Sequence, residues 1–168
     1  MAALVAAAQN RDADAFAALY SDYSNSLYKT AYYLIGRRED AEDVVMETVA
    51  DAFAGISQLR NPEAFEGWIF KILYNKARRR RGAVYYNATS EIPETLPADV
   101  PSEGEIGNNV DLMRALSKLS NEERAIVVLG VCEGYTSAEI GEIMSLNPNT
   151  VRSKQMRALA KLREIMTK

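Results

Sequence analysis

The sequence of 168 residues contains no histidine and a single cysteine, Cys132. The absence of histidine excludes a Ser-His-Asp triad. A lone cysteine excludes an intrachain disulfide and a zinc site built from cysteine and histidine ligands. Cys132 lies in an apolar, helix-like run, which predicts a buried, inert thiol. These absences exclude many classes of enzyme, and we expect neither a metal site nor a bound cofactor.

Long hydrophobic runs are also missing. The longest apolar stretch, around AIVVLGVC at residues 125–132, is far too short to span a bilayer. The apolar N-terminus MAALVAAAQN has no preceding Lys or Arg of the kind that opens a secretion signal. We therefore expect a cytoplasmic protein without membrane insertion.

Basic residues are in the minority, with 20 Lys and Arg against 23 Asp and Glu, but they are concentrated in two blocks. Residues 67–81 carry a net charge of +6 and residues 146–168 a net charge of +5. The stretches before and between these two blocks, residues 1–66 and 82–145, are both acidic. The formal net charge of −3 thus conceals two segments that are suited to a polyanion such as nucleic acid.

The basic blocks are separated by NATSEIPETLPADVPSEGEIGNN, which has three of the five prolines, five carboxylates and no cation. This composition predicts an extended acidic linker over residues 82–108, between domains at residues 1–81 and 109–168. The linker is either a simple tether or a negatively charged segment that occupies a basic channel in a partner.

Apolar residues outside the linker recur at helical spacing, and no segment shows the alternation of a half-buried strand. DADAFAALYSDYSNSLYKTAYYLIG predicts a long helix that ends at Gly36. In EDAEDVVMETVADAF the apolar side chains form one stripe of a helix, and the opposite face is acidic. We predict an all-α fold of two small helical domains.

The segment GYTSAEIGEIMSLNPNTVRSKQMRALAKLR has the pattern of a helix-turn-helix. Thr136 and Glu139 match a capping box that starts a short helix. Asn147 followed by Pro148 matches the start of a second, basic helix. The same signal, SNEE at residues 120–123, starts the helix before them.

In the second helix of this motif we expect Val151, Leu159 and Leu162 to face inward. The side chains left for DNA or solvent include Arg152, Lys154, Gln155 and Arg157. Those in the first turns, where a recognition helix meets bases and phosphates, are Asn149, Thr150, Arg152 and Ser153. The alternative is an ordinary surface helix whose cationic end suits the helix dipole.

The other basic block, PEAFEGWIFKILYNKARRRRG, combines a core-facing stripe with a polar one. The apolar residues at helical spacing are Phe65, Trp68, Ile69, Ile72 and Leu73. The outward residues are Lys71, Tyr74, Asn75, Arg78 and Arg79. Cations suit phosphates, Asn can read adenine and Tyr can stack on an unpaired base. Arg78 to Arg81 alone would also fit a solvated helix end.

Met46 departs from the pattern of the acidic helix, because it falls on the face that holds Asp43 and Glu47. An exposed Met among carboxylates suggests a protein partner with basic edges. A Met exposed by chance fits the sequence equally well.

In this order, the segments resemble the extracytoplasmic-function sigma factors of bacterial RNA polymerase. DAEDVVMETVADAF looks like the helix that binds the polymerase clamp. FEGWIFKILYNKARR is similar to the minus-ten recognition and melting helix. GYTSAEIGEIMSLNPNTVRSKQMRALAKLR resembles the helix-turn-helix that binds the minus-35 element. The resemblance covers nearly the whole chain and implies a promoter-specificity subunit.

The resemblance also implies roles for individual positions. Asp40, Asp43 and Glu47, with Met46 beside them, would meet the clamp. Asn61 to Phe65 would lie at the loop that captures a flipped minus-ten base. The opened strand would be held by Lys71, Asn75, Arg78 and Arg79, and the minus-35 element by Arg152, Ser153, Lys154 and Arg157. The implied partners are core RNA polymerase (clamp helices and flap), promoter DNA and an anti-sigma factor, and the linker would thread the RNA exit region.

The chain departs from the family pattern at four positions. Met46 replaces the usual Gln, Ser120 a common Pro, Gly141 a common Ala and Gln155 a large apolar residue. Gly141 is expected to weaken its helix by about 1 kcal/mol relative to Ala. Two other functions remain open: a dimeric helix-turn-helix repressor or activator, and a sigma-like decoy that sequesters an anti-sigma factor.

Overall fold

The structure is a computed structural model that describes residues 1–87 and 110–168, with side chains for all of these except 83–87. The described residues form eight α-helices and no strand, which confirms the all-α prediction. The helices are α1 (Ala2–Gln9), α2 (Ala13–Ile35), α3 (Arg38–Gly55), α4 (Phe65–Asn87), α5 (Val110–Ser117), α6 (Asn121–Val127), α7 (Ser137–Met144) and α8 (Pro148–Met166). None of them is long and apolar enough to cross a membrane.

The N-terminal half is built on α2, α3 and α4, which pack against one another, with α1 against α2. The Asp12 carboxylate caps α2 by accepting from the backbone N–H groups of Asp14 and Ala15. Gly36 ends the helix at φ 84°, as predicted, and its N–H donates to the carbonyl of Tyr32 at 2.7 Å. A left-handed residue at this position favours glycine.

The C-terminal half contains the predicted helix-turn-helix, formed by α7 and α8. Ser120 and Glu123 form a reciprocal capping box at the start of α6, and Thr136 and Glu139 form another at α7. Asn147 caps α8 by accepting from the N–H of Asn149, with Pro148 in the first turn. The three helix starts that were predicted from local sequence are therefore confirmed.

Two predictions about the ends of the helices need correction. Helix α4 continues past the predicted boundary at Gly82 as far as Asn87, and the rest of the predicted linker lies outside the described residues.

Cys132 is exposed, so the prediction of a buried thiol is wrong. The cause is a π-helical turn over Val128–Cys132 that follows α6. Its wider winding rotates the last residues away from the 3.6-residue period on which the prediction relied.

Candidate nucleic-acid interface

The acidic face of α3 is partly neutralised from within the chain by Arg80 of α4. Its guanidinium lies 3.0 Å from the Asp40 carboxylate, 2.8 Å from that of Asp43 and 3.8 Å from that of Glu47. Asp40 is buried, at 9% exposure, and also pairs with Arg37. The expectation that Asp40 meets a partner is therefore not supported by its position, because its carboxylate is used inside the fold.

The outer part of this face remains accessible. Met46 is 70% exposed, as its off-stripe position predicted. Asp43 and Glu47 keep 60% and 51% of their side-chain surface exposed although both approach Arg80. Because its exposed carboxylates carry the same charge as phosphates, this face is not suited to DNA.

Asn61 and Phe65 have structural roles at the start of α4. The Asn61 carboxamide oxygen accepts a hydrogen bond from the N–H of Glu63 and so caps the short 3-10 turn Pro62–Ala64. Phe65 is completely buried, with its ring centroid 5.8 Å from that of Tyr23. The prediction that Phe65 contacts DNA is therefore corrected: its position at helical spacing with the core stripe decides its direction.

The α4 basic stripe, which we define as Lys71, Tyr74, Asn75, Arg78 and Arg79, lies on one side of that helix. Lys71, Arg78 and Arg79 are exposed, whereas Tyr74 and Asn75 are half-buried. The guanidinium carbon of Arg78 lies 5.9 Å from the centroid of the Tyr74 ring. An aromatic ring beside one arginine, with two further cations on the same side of the helix, is an arrangement suited to an unpaired strand, with stacking for a base and charge for phosphates.

Part of this stripe borders the C-terminal half, because α7 packs against α4. Lys71 lines a cleft with Tyr135, Glu139 and Glu142. Tyr74 and Arg78 line a second cleft with residues from α6, the end of α7 and the turn after α7, which are Asn121, Glu122, Ala125, Met144 and Leu146. The stripe is thus not a free surface along its whole length in this arrangement.

Polar contacts hold the two halves together around these clefts. The Tyr135 hydroxyl donates to the Glu66 carboxylate at 3.1 Å, and the Thr30 hydroxyl donates to Glu133 at 2.8 Å. The Phe70 and Tyr135 rings meet edge to face at 5.5 Å. Burial, with the Glu66 carboxylate nearby, raises the pKa of Tyr135 far above its ordinary range, so this hydroxyl stays a donor at all physiological pH values.

Two arginines converge on the C-terminal end of α2. Arg81 donates to the carbonyl oxygen of Leu34 at 2.7 Å, and the buried Arg124 donates from Nε to the carbonyl oxygen of Tyr33. Cations at a helix C-terminus are favoured by the orphan carbonyls and the helix dipole. Burial and the nearby Arg81 guanidinium lower the pKa of Arg124 to about 9, which leaves it charged at neutral pH.

The turn of the helix-turn-helix is closed by a tight backbone contact at Gly141. A Cβ at this position would lie 2.6 Å from the carbonyl oxygen of Leu146. The N–H of Leu146 donates to the Gly141 carbonyl, and Ser145 takes a left-handed conformation at φ 57°. Gly141 therefore lets α7 approach the turn closely, whereas the sequence indicated only a weakened helix.

The exposed face of α8, which we call the α8 polar face, is formed by Asn149, Arg152, Ser153, Met156 and Arg157. The Asn149 carboxamide accepts a hydrogen bond from the Arg152 guanidinium at 2.5 Å. The hydroxyl of Ser153 donates to the Asn149 carbonyl. These contacts orient the polar groups of the first two turns toward solvent, as a recognition helix requires.

Three other residues of α8 have surroundings that the sequence did not indicate. Lys154 is half-buried and pairs with Glu122 of α6 at 3.0 Å. The Gln155 amide packs so closely over Gly130 that a Cβ there would lie 2.5 Å from it. Leu159 is 42% exposed rather than inward, because Val151, Ala158 and Leu162 form the buried stripe. Thr150, the remaining residue predicted to contact DNA, is half-buried.

Met156 is the residue of this face that the sequence reasoning missed. At 73% exposure it is the most exposed large hydrophobic side chain among the described residues. Met156 lies four residues after the outward Arg152, on the same side of an α-helix, and five residues after the inward Val151, on nearly the opposite side. The helical period of the sequence therefore already indicated that Met156 is exposed.

Comparison with known families gives two matches. The family described as Sigma-70 region 2 matches residues 19–83, and the family described as Sigma-70, region 4 matches residues 109–162. These two matches include α3, most of α4 and most of the helix-turn-helix, and together they cover more than half of the chain.

Among curated proteins, the ECF RNA polymerase sigma factor SigE of Mycolicibacterium smegmatis is 34% identical over 157 residues, which are 89% of this chain and 61% of SigE. The RNA polymerase sigma factor SigV of Bacillus subtilis is 29% identical over 153 residues, with 88% of this chain and 89% of SigV covered. The chain thus spans about three fifths of the length of one relative and nearly all of the other.

Two solved structures share the fold. CnrH in complex with the cytosolic domain of CnrY has a TM-score of 0.74 and 24% identity, with 99% of this chain and 96% of the other covered. The sigma factor RpoE in complex with the anti-sigma factor NepR from Bartonella quintana has a TM-score of 0.77 and 23% identity, with 90% and 96% covered.

Proposed function

This chain belongs to the extracytoplasmic-function (ECF) group of the sigma-70 family, and we propose that it directs core RNA polymerase to specific promoters and helps to open them. Residues 1–87, through the end of α4, act as the region 2 domain, for polymerase binding and minus-ten recognition. Residues 109–168 act as the region 4 domain, for the minus-35 element, and the acidic segment between the two domains links them. The chain uses binding energy and catalyses no covalent step, and it acts in the cytoplasm.

The observation that carries this proposal is the presence of two distinct basic surfaces on two helices of one chain. The α8 polar face suits duplex DNA because it begins at a capped helix start and follows a helix-turn-helix turn. The α4 basic stripe suits an unpaired strand because it sets Tyr74 among cations. A protein that must bind duplex and opened DNA at one promoter needs both.

The surface for core polymerase is the exposed acidic part of α3, with Asp43, Met46 and Glu47. Its carboxylates fit a basic helical partner such as the clamp, and Met46 supplies adaptable apolar area where the family has Gln. Asp40 is not part of the exposed surface. It pairs with Arg80, which also approaches Asp43 and Glu47. The flap of the polymerase is the expected partner of the C-terminal half.

Full use of the α4 basic stripe requires α6 and α7 to move away from it. Glu139 and Glu142 line the same cleft as Lys71, and Glu122 lines the same cleft as Tyr74 and Arg78. These carboxylates give both clefts negative charge where a strand would bring its phosphates. Promoter opening therefore follows separation of the halves, and an anti-sigma factor that clamps both would inhibit the chain. Affinity purification from the native host that recovers polymerase and no second protein contradicts the anti-sigma factor.

The test is run-off transcription with core RNA polymerase and a library of genomic fragments. Wild type is compared with a variant that carries Lys71→Ala, Asn75→Ala and Arg78→Ala. We expect discrete transcripts from wild type and their loss in the variant, while binding to a pre-opened promoter bubble weakens and becomes less dependent on salt. The matched control carries Lys118→Ala and Lys168→Ala, which remove exposed cations outside both basic surfaces.

Two outcomes contradict the proposal and identify the alternatives. Binding of a dimer to palindromic duplex DNA without core polymerase, with no transcripts, indicates a conventional helix-turn-helix regulator. Capture of an anti-sigma factor with neither transcripts nor DNA binding indicates a decoy. The α4 basic stripe speaks against both, because neither function needs a surface for an opened strand.

A further inference from the structure

We propose that Met156 is a specificity-determining residue that contacts the C5-methyl group of a thymine in the major groove of the minus-35 element. The inference rests on the proposed function and deepens it, because it assigns base preference to a side chain with no hydrogen-bonding group suited to a base edge. The three observations behind it are the exposure of Met156, its place on α8 and the charge around it.

Met156 is not needed by the fold. The side chains that pack α8 onto its neighbours are Val151, Ala158 and Leu162, all buried. Met156 lies on the opposite side at 73% exposure. On the outward face of the helix-turn-helix, Met156 therefore offers apolar area that no neighbour among the described residues covers.

The position of Met156 places it within reach of bases. It lies one turn after Arg152 and three residues after Ser153, on the α8 polar face. Four residues of an α-helix rise about 6 Å, roughly two base-pair steps of DNA. If Arg152 and Asn149 lie at the groove edge or on a base, Met156 lies over the next one or two base pairs.

The surrounding charge identifies the occupant as nucleic acid rather than protein. Arg152 and Arg157 flank Met156, and residues 146–168 have a net charge of +5. No carboxylate lies on the α8 polar face between Asn149 and Arg157. This surface differs from the exposed Met46, which lies among carboxylates and suits a basic protein partner.

Base chemistry then selects thymine. In the major groove guanine presents two acceptors, cytosine a donor, and adenine an acceptor and a donor. Thymine alone adds a methyl group beside its acceptor. A thioether side chain gains by covering that methyl group and loses by covering the polar edges of the other bases. Met156 therefore favours thymine on one strand.

The test uses holoenzyme assembled from core RNA polymerase and the full chain, and minus-35 elements selected from a random duplex library. Each thymine of the selected element is replaced in turn by uracil, which removes only the methyl group. At one position, we expect wild type to lose roughly three- to fivefold in affinity, the size expected for one buried methyl group. Met156→Ala should bind wild-type DNA correspondingly more weakly and be unaffected by uracil there.

Met166→Ala is the matched control, because Met166 is 60% exposed on the same helix but lies in its last turn. It should keep the wild-type response to uracil. An element that is selected and transcribed but contains no thymine whose uracil substitution affects wild type overturns the inference and leaves the proposed function intact. An equal response of wild type and Met156→Ala does the same. If no element is selected and no transcript is made, the proposed function fails and the inference fails with it.

Discussion

The Arg124 side chain reaches from α6 into the N-terminal half and donates a hydrogen bond to the carbonyl oxygen of Tyr33, 91 residues earlier in the chain. Only 1% of Arg124 is exposed. Its two terminal nitrogens have no hydrogen-bond partner among the described residues. The bond therefore joins the two halves but buries a positive charge that is poorly solvated. The stability of the contact between the halves should depend strongly on this side chain.

Replacing Arg124 with Ala should loosen the contact between the halves. The carbonyl of Tyr33 loses its partner and the packing around it is lost, so we expect the free energy of unfolding to fall by roughly 1–3 kcal/mol. Urea denaturation measures that loss, and energy transfer between dyes on the two halves measures their separation. Arg124→Met, which fills similar volume without a buried charge, should recover most of the stability.

Arg114→Ala is the control for this substitution. Arg114 has a side chain that is 70% exposed and pairs with Asp111 within α5. Its loss should change stability by no more than about 0.5 kcal/mol. A similar loss of stability for both variants would show that the Tyr33–Arg124 bond has no special part in joining the halves.

Arg80→Ala should destabilise the N-terminal half through Asp40. The buried Asp40 carboxylate would keep only the more distant Arg37, at 3.4 Å, so we expect a loss of about 1–3 kcal/mol. Adding Asp40→Asn should restore part of it, because a neutral amide is cheaper to bury than an unpaired carboxylate. A double-mutant cycle by chemical denaturation gives the coupling. Arg79→Ala, at the exposed neighbouring position, is the control, and additive effects of Arg80→Ala and Asp40→Asn contradict the coupling.

Gly141→Ala should destabilise the helix-turn-helix although alanine is the better helix former. The intrinsic gain of about 1 kcal/mol is opposed by a Cβ placed 2.6 Å from the backbone oxygen of Leu146. Overpacking of this kind typically costs 1–3 kcal/mol, so we expect a net loss and weaker binding of the minus-35 element. Gly67→Ala in α4 is the matched substitution, since its Cβ meets no atom within 4 Å. A stabilised Gly141→Ala protein would show that the turn can relax at little cost.

The capping box of α6 predicts a pH dependence. Lys161, which donates to the Glu123 carboxylate at 2.6 Å, and the backbone N–H of Ser120 lower the pKa of Glu123 below its ordinary value of 4.5. A carboxylate with a lowered folded-state pKa stabilises the fold fully above its unfolded pKa. That stability is lost as pH falls through the lowered value.

We therefore expect Glu123→Gln to remove roughly 0.5 kcal/mol of stability at pH 7 and progressively less below pH 4.5. Thermal unfolding between pH 3 and 7 measures the difference. Glu164→Gln, at an exposed position near the end of α8, should run parallel to wild type. A difference between Glu123→Gln and wild type that stays constant down to pH 3 contradicts the role of the carboxylate charge.

The sequence predicted those features that depend on neighbouring residues. Ser120, Thr136 and Asn147 mark helix starts because each cap acts on N–H groups two or three residues away. The helical period likewise placed Met46 on the surface. The same period placed Phe65 in the core stripe, so assigning it to DNA by resemblance contradicted a local signal that the structure follows.

Features that depend on distant partners could not be predicted. Nothing near Arg80 or Arg124 distinguishes them from Arg78 and Arg79, yet their partners lie up to 91 residues away and turn surface charges into internal ones. Lys154 differs from Arg152 for the same reason, because Glu122 belongs to another helix. Gly141 was interpreted through helix propensity, since the approach of Leu146 is visible only in three dimensions.

The separation of Tyr33 from Arg124 also sets an order of events on the ribosome. Arg79, the last residue of the α4 basic stripe, is synthesised 45 residues before Arg124, which at the usual 5–20 residues per second corresponds to roughly 2–9 s. The stripe therefore leaves the ribosome ahead of α6 and α7, which later cover part of it. A newly made chain passes through a stage in which that stripe is open to any polyanion nearby, and docking of α6 and α7 ends it.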